Sequence, residues 1–208
     1  MSDSMVVHIV DDDEAVRQSL AFLLSSAGHA VRLYDSARAF LDGLDGVEGG
    51  CLVTDIRMPE MTGIELLHAM QAKACGLPSI VITGHGDVPL AVEAMKAGAV
   101  DFIEKPFDDE AILNAVKSAL QRSAGGEGGD GRVIAARIAS LSERERQVLE
   151  GLIAGHPNKT IAYDLGISPR TVEVYRANLM AKMEAKSLSE LIRMAILANF
   201  APARRGSP

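Results

Sequence analysis

The stretch Cys51-Leu-Val-Thr-Asp-Ile-Arg-Met-Pro-Glu-Met-Thr-Gly63 joins a short apolar run to a loop and places one carboxylate between them. The run from Cys51 to Thr54 is apolar and β-branched, which predicts a buried strand. Asp55 follows where the run stops, and Pro59 and Gly63 mark the loop. Ligands of open α/β sheets bind at the carboxyl ends of the strands, so Asp55 lies where chemistry is expected. The alternative is that Asp55 only caps a turn.

Four further apolar runs alternate with segments of helical periodicity in the first 123 residues. With the Cys51 strand as the third, strands are predicted at 5–10, 29–34, 51–54, 79–83 and 100–104. Helices are predicted at 13–27, 36–44, 63–73, 89–98 and 108–122. Strands joined by such short helical crossovers predict an α/β, doubly wound, parallel five-stranded sheet of the flavodoxin type.

A glycine-rich segment, Ala124-Gly-Gly-Glu-Gly-Gly-Asp-Gly131, separates this half from the rest of the chain. It has no apolar periodicity, so we predict a flexible linker over residues 124–137 between domains at 1–123 and 138–208. A glycine-rich phosphate cradle is the alternative, but no strand precedes the segment and no Gly-Lys-Ser/Thr closes it. Capping boxes at Ser142 and Ser187, a cap at Asn158 and a helix start at Pro169 predict an all-α four-helix domain.

Charge divides the chain at the same place. Residues 1–131 carry 9 Lys/Arg against 21 Asp/Glu, whereas residues 132–208 carry 12 against 7. This split suggests a cation as partner of the first half and nucleic acid as partner of the second. There is no apolar run near the roughly 20 residues of a membrane span and no signal-peptide pattern. We therefore expect a cytoplasmic protein with no membrane partner, in which Cys51 and Cys75 are reduced.

Five polar side chains end or follow four of the predicted strands: Asp11, Asp12, Asp55, Thr83 and Lys105. A parallel sheet brings those strand ends to one edge, so the side chains are expected to converge. Three carboxylates repel one another, and a hard cation relieves this; Mg²⁺ suits two carboxylates plus waters. A carboxylate beside Mg²⁺ and an ammonium group is suited to attack a phosphoryl group.

The motifs Val10-Asp-Asp12, Thr54-Asp-Ile-Arg-Met-Pro59, Thr83-Gly84 and Lys105-Pro-Phe107 resemble those of the receiver domain, the CheY-like domain of two-component response regulators, over residues 4–123. The resemblance implies that Asp55 accepts a phosphoryl group from a sensor histidine kinase. It also implies a Mg²⁺ site made by Asp11, Asp12, Asp55 and the Arg57 carbonyl. Thr83 would be the switch hydroxyl, Lys105 the phosphoryl partner with a cis peptide to Pro106, and Phe102 a second switch residue, where many receivers have Tyr.

In the basic half, a short helix, a turn with glycine and a longer helix opened by Ser168-Pro169 have the order of a helix-turn-helix. Leu141-Ser-Glu-Arg-Glu-Arg-Gln-Val-Leu149 and the segments 158–162, 165–168 and 171–172 resemble the LuxR/NarL-type DNA-binding domain, over about residues 138–200. The resemblance would place the Pro169 helix in the major groove, with Ile167, Val172, Leu179 and Met183 facing inward.

Candidate DNA contacts lie on or beside the outer face of that helix. They are Lys159, Thr160, Arg170, Thr171, Glu173, Val174, Tyr175, Arg176, Ala177 and Lys182. Glu173 can accept a hydrogen bond from cytosine N4, and Val174 can contact a thymine methyl. The candidates for phosphate contacts are Lys159, Thr160, Arg170, Tyr175, Arg176 and Lys182. Relatives often have Lys in place of Glu173 and His in place of Tyr175, so the base contacts are expected to differ.

The two-domain arrangement resembles that of response regulators of the FixJ type. The same resemblance extends to the segments Thr83-Gly-His-Gly-Asp87, Ala91-Val-Glu-Ala-Met-Lys-Ala-Gly-Ala99 and Asp101-Phe-Ile-Glu-Lys-Pro-Phe107. That implies a transcription activator of nitrogen-fixation genes at low oxygen, with a FixL-like oxygen-sensing haem kinase, promoter DNA and RNA polymerase as partners. Phosphorylation would produce a homodimer. The apolar stripe of the last helix, from Leu188 to Ile196, suits either dimerisation or packing within the domain.

Two other functions are compatible with parts of the pattern. One is a DNA-binding regulator whose receiver is inert. The other is an aspartate-nucleophile phosphatase, which needs a second Asp two residues after the nucleophile, where this chain has Arg57. We expect a phosphoryl-accepting regulator rather than an enzyme.

Overall fold

The computed structural model describes residues 5–47, 49–84, 88–123, 131–198 and 200. The chain divides into two compact units, one built on a sheet and one built on the C-terminal helices. Within the described residues, no helix combines the length and the apolar character needed to cross a bilayer.

Residues 5–123 alternate strands with helices as predicted. In order they are β1 Val6–Val10, α1 Glu14–Ser26, β2 Ala30–Tyr34, α2 Ala37–Asp42, a 3-10 turn Leu44–Gly46, β3 Gly50–Asp55, α3 Gly63–Ala72, β4 Ser79–Thr83, α4 Val88–Lys96, β5 Asp101–Glu104 and α5 Asp109–Ser123. The five strands are parallel, in the order β2-β1-β3-β4-β5. The doubly wound sheet is confirmed, and the element ends lie within about two residues of those predicted.

The central strand β3 is buried along all six residues. On one face of the sheet, Val53 joins Val7 and Ile9 of β1 in a core shared with α1 and α5. On the other face, Leu52 packs in a second core that includes residues of α2 and α3, Phe40 and Leu66 among them. Burial on both faces explains why these strands are solid apolar runs instead of alternating ones.

Two glycines let backbone segments approach closely around β3. Gly50 has a φ of 111°, and a Cβ there would lie 1.8 Å from the Val6 carbonyl oxygen. A Cβ at Gly63 would lie 2.3 Å from the Asp55 carbonyl oxygen, because the Gly63 N–H donates to the Ile56 carbonyl at 2.9 Å. The loop after Asp55 therefore folds back tightly on the end of its own strand.

The C-terminal residues form α6 Gly131–Ala139, α7 Glu143–Ile153, α8 Asn158–Leu165, α9 Pro169–Met183 and α10 Leu188–Leu197. The four predicted helices are α7 to α10. Helix α6 was not predicted and occupies residues assigned to a linker that reached 137; residues 124–130 lie outside the described part. The missed signal was Ile134, Ile138 and Leu141, which recur at helical spacing and are buried.

Local signals explain where these helices begin and end. Ser142 and Glu145 make both hydrogen bonds of a capping box at the start of α7. The predicted cap at Asn158 is wrong, because Asn158 is the first residue of α8 and Pro157 precedes it as a cap without a side-chain hydrogen bond. Gly166, with a φ of 64°, ends α8, and Ser168 caps α9 ahead of Pro169. In α10, Leu191, Ile192 and Ala195 are buried. Leu191 and Ala195 belong to the core of this unit, so much of the apolar stripe serves packing within it.

Candidate functional site

The polar residues predicted to converge lie at one edge of the sheet. Asp11 follows β1, Asp55 ends β3, Thr83 ends β4 and Lys105 follows β5. Asp55 is in register with Ile82, the residue before Thr83. The Lys105 N–H donates to the Thr83 carbonyl at 2.8 Å. The parallel sheet therefore gathers these side chains, as strand ends predict.

Lys105 lies between two carboxylates. Its Nζ is 2.6 Å from Asp55 Oδ1 and 3.5 Å from Asp11 Oδ2. The Asp13 N–H donates to Asp11 Oδ1 at 2.9 Å, and the Arg57 N–H donates to Asp55 Oδ2 at 2.5 Å. Backbone donors thus orient both carboxylates toward a single ammonium group.

Burial makes this arrangement electrostatically demanding. Burial raises the pKa of Asp11, and the nearby Asp55 charge adds to it, although the Asp13 N–H and Lys105 oppose the shift. Burial would lower the pKa of Lys105, but the hydrogen bond and charge of Asp55, together with Asp11, outweigh it and raise that pKa. The two carboxylates therefore keep Lys105 charged. A single ammonium group, however, cannot neutralise both of them.

The other predicted site residues are not part of the cluster formed by Asp11, Asp55 and Lys105. Asp12 is exposed and Phe102 is half-buried on β5. Thr83 is buried, and its hydroxyl lies 3.5 Å from the Gly84 carbonyl oxygen, a long hydrogen bond that leaves it free to take a better partner. The Lys105–Pro106 peptide is cis. Within the described residues, no group of three His, Cys, Asp or Glu side chains by itself forms a metal-binding cluster.

The donor set nevertheless fits Mg²⁺. This ion prefers oxygen ligands and keeps several waters, so one or two carboxylates and a carbonyl are enough. Asp11 and Asp55 supply two carboxylates that share one cation, and Asp11 is only 2% exposed. A divalent cation beside them would relieve the repulsion that helps to raise the pKa of Asp11.

Sequence reasoning missed Arg17, whose Nη1 donates to the Asp11 carbonyl at 2.6 Å. The residue belongs to α1, four positions after Asp13, where helical periodicity suggests only a surface cation. Its contact depends on how α1 packs beside β1, which no local pattern shows.

The helical unit presents α9 with its inner and outer faces as predicted. Val172, Leu179 and Met183 are buried, and Ile167 packs half-buried against the same core. Seven of the candidate DNA contacts are exposed, namely Lys159, Thr160, Arg170, Glu173, Val174, Ala177 and Lys182. The outer face of α9 therefore carries both charged and apolar groups able to contact base edges.

Four of the candidates, the exposed Lys182 among them, have partners within the protein. The Thr171 hydroxyl is 2.8 Å from Ser168 Oγ, and Arg176 Nη1 donates to Asn158 Oδ1 at 3.0 Å. Lys182 Nζ is 2.7 Å from Glu145 Oε2, and Tyr175 packs half-buried against the core. Tyr163, on α8 one turn after Lys159, was not predicted and is 87% exposed.

Comparison with known families matches each unit to a known domain. Residues 7–117 match the response regulator receiver domain, and residues 139–195 match the LuxR family of bacterial regulatory proteins. The chain belongs to the response regulators. As a response regulator with a LuxR-type domain it is a transcription regulator, with a histidine kinase and DNA as partners, and not a catalytic enzyme in the usual sense. Receiver domains generally bind Mg²⁺ at this acidic pocket.

Individual proteins of known name are similar to this response regulator over nearly its whole length. It is 61% identical to the transcriptional regulatory protein FixJ of Azorhizobium caulinodans, covering 100% of both chains. It is 60% identical to FixJ of Rhizobium meliloti, over 94% of this chain and 97% of the relative. The crystal structure of full-length FixJ from B. japonicum aligns with a TM-score of 0.56 at 56% identity, covering 95% of this chain and 98% of that one. The response regulator is thus of the FixJ type.

Proposed function

We propose that Asp55 accepts a phosphoryl group from the phosphohistidine of a sensor kinase. The observation that carries the proposal is the Asp55–Lys105 contact of 2.6 Å, with the buried Asp11 beside it. An ammonium group beside an attacking carboxylate can stabilise the negative charge of the transferred group.

Asp11, Asp12, Asp55 and the Arg57 carbonyl would hold Mg²⁺. When bound, the ion neutralises charge on the phosphoryl oxygens. Lys105 pairs with one of those oxygens once Asp55 is modified, and the Thr83 hydroxyl turns from the Gly84 carbonyl to donate to another. Phe102 then rotates, and the surface beside it rearranges. Asp12 enters this proposal only through its place beside Asp11, because its side chain is exposed.

Labelling with radioactive acetyl phosphate tests the acceptor. Wild-type protein should take up label only with Mg²⁺, and Asp55→Asn should lose it. Lys105→Ala should still fold but should fail to convert phosphorylation into tighter DNA binding. The exposed Asp42, which pairs with Arg38, provides the matched control Asp42→Asn. Equal labelling of Asp55→Asn and wild type would refute the proposal.

We further propose that α9 reads promoter DNA from the major groove. The supporting observation is its exposed face, with Arg170 for phosphate and Glu173 and Val174 for base edges. Lys159 and Thr160 on α8 would contact the backbone, and Ala177 would lie against the groove. Arg176 would hold α9 to α8 through Asn158, and Lys182 would hold it to α7 through Glu145. Thr171 would support the start of α9 through Ser168, and Tyr175 would pack against the core. Bound DNA would then present the activator to RNA polymerase.

The regulated genes are proposed to be those of nitrogen fixation at low oxygen, with a FixL-like haem kinase as phosphoryl donor. Support comes from relatives named FixJ at 57–61% identity. A C4-dicarboxylate transport regulator, DctR of Rhodobacter capsulatus, is 47% identical to this chain. A kinase that senses C4-dicarboxylates is therefore the competing phosphoryl donor to test. Phosphotransfer from a FixL-like kinase should be fast and suppressed by oxygen. Faster transfer from a C4-dicarboxylate sensor kinase would exclude the nitrogen-fixation assignment.

No observation favours the two alternative functions. Two residues after Asp55, where a phosphatase needs a carboxylic acid, stands the exposed Arg57. An inert receiver would have no need of two carboxylates oriented on one ammonium group, and the labelling experiment separates these cases.

A further inference from the structure

The C-terminal end of α9 is held by a side chain from α6. Arg137 Nη1 donates to the Met183 carbonyl at 2.9 Å, and Nη2 pairs with the Glu184 carboxylate. The last carbonyls of a helix lack partners within it, and a cation there also interacts favourably with the helix dipole. Arg137 therefore caps this helix end from a neighbouring element.

Glu184 shows that the cap holds an unfavourable conformation. It is the C-cap of α9 and has a φ of 52°, in the left-handed region that is unfavourable for a residue with a Cβ. Glycine usually occupies this position. A glutamate persists there with its carboxylate on Arg137, so the turn after α9 is tied to α6.

Apolar packing fixes the same two helices together. Ile134 and Ile138 of α6 are buried in the core that contains Leu179 and Met183 of α9. In the same last turn of α9, Lys182 binds Glu145 of α7 at 2.7 Å. The C-terminal end of α9 is thus anchored on two sides, while Arg170, Glu173 and Val174 toward its start are exposed.

We propose that Arg137 is a positioning residue for DNA reading. It sets the C-terminal end of α9 and, because a helix is a stiff rod, the angle at which the exposed half enters the groove. The inference rests on the proposal that α9 reads DNA, but it concerns a residue that contacts no DNA. It also assigns α6 to the DNA-reading unit instead of to the linker.

The test compares DNA preference in full-length variants, all treated with acetyl phosphate. The probes are a duplex enriched by the wild type from a random pool and a scrambled duplex of the same composition. At a temperature where every variant is folded, Arg137→Ala should lose about tenfold in preference for the enriched duplex, roughly the discrimination of one base pair. Its salt dependence should equal that of the wild type. Arg170→Ala should instead reduce the salt slope by about one.

Each result decides the matter. If Arg137→Ala lowers the salt slope by about one, Arg137 contacts phosphate and the inference is wrong. If it lowers only the melting temperature and leaves the preference intact, the role is structural and the inference is equally wrong. Arg137→Lys, which keeps a cation and a donor, should restore part of the preference. If Arg137→Ala does not fold, the exposed partner decides: Glu184→Ala should lower the preference about threefold, and no change overturns the inference. An unaffected Arg170→Ala would count against DNA reading by α9 itself.

Discussion

At the scale of single residues, Asp11 and Asp55 differ in how they are accommodated. Asp55 has the closer ion pair, with Lys105 Nζ at 2.6 Å, whereas Asp11 is 3.5 Å from the same nitrogen. Burial is the largest influence on Asp11 and raises its pKa. Asp11 lies farther from the Lys105 ammonium than Asp55 does. Its charged carboxylate therefore contributes less to the stability of the fold than its central place in the site suggests.

Asp11→Asn is expected to stabilise the metal-free protein at pH 7. Because the pKa of Asp11 is raised on folding, its charged carboxylate lowers the free energy of unfolding. This loss of stability is absent at pH values below the ordinary pKa of 3.8 and complete at pH values above the raised pKa. Asparagine keeps an oxygen for the Asp13 N–H and removes the charge. We expect a rise of a few degrees in melting temperature, the effect of about 1 kcal/mol. The measurement is thermal unfolding in chelator from pH 7 to pH 4.5.

The matched control is Asp12→Asn, which alters an exposed neighbour and should leave the melting temperature unchanged. The gain from Asp11→Asn should shrink as the pH falls. Mg²⁺ should raise the melting temperature of the wild type more than that of Asp11→Asn. A variant less stable than wild type at every pH would mean that the Lys105 contact outweighs burial.

At the scale of helices, Glu145 joins two elements. Its carboxylate accepts from the Ser142 N–H and hydroxyl at the start of α7 and from Lys182 Nζ of α9, at 2.7, 2.8 and 2.7 Å. The Lys182 hydrogen bond is the largest cause of its lowered pKa. One buried carboxylate thus caps its own helix and anchors another.

Glu145→Gln should destabilise the helical unit by about 1 kcal/mol at pH 7, because the Lys182 ammonium then donates to a neutral amide oxygen instead of a carboxylate. A lowered pKa means that the carboxylate contributes its stability above the ordinary value of 4.5 and loses it as the pH falls through the lowered value. Variant and wild type should therefore converge in acid. Urea unfolding at pH 7 and at pH 3 measures this.

Glu143→Gln serves as the control for that measurement, since Glu143 is an exposed residue of the same helical turn. It should change the free energy of unfolding by only a few tenths of a kcal/mol. If Glu145→Gln were equally mild at pH 7, the contact with Lys182 would have no stabilising role.

At the scale of the whole molecule, an acidic unit that is proposed to accept a phosphoryl group is joined to a unit that recognises DNA. Residues 1–131 have 12 more acidic than basic residues, and residues 132–208 have 5 more basic than acidic ones. Separate domains allow each charge balance to suit its own partner, a divalent cation in one case and a polyanion in the other.

Phosphorylation should convert the protein from monomer to dimer. Pairing of two receivers would place two DNA-reading units on a two-fold operator, and linked binding raises affinity without new contacts. Sedimentation velocity before and after acetyl phosphate measures the change, with Asp55→Asn as the control that should stay monomeric. An unchanged sedimentation coefficient after full phosphorylation would remove the dimer step.

The sequence alone determined the alternation of strands and helices, the Ser142 cap of α7 and the start of α9 at Pro169. It also determined the gathering of Asp11, Asp55, Thr83 and Lys105 at one sheet edge. These follow from local periodicity and from the rule that parallel strands end together. Helix α6, however, was not predicted, because it directly follows the glycine-rich segment and its apolar spacing covers little more than two turns.

Only the tertiary structure decided which side chains meet and which are buried. Lys105 reaches Asp11 across 94 residues of sequence and Asp55 across 50, and Arg137 reaches Glu184 across 47. The adjacent Asp11 and Asp12 look equivalent in the sequence, yet one is buried and the other exposed. Such choices depend on how helices pack on the sheet and on one another, since packing sets the direction and burial of each side chain.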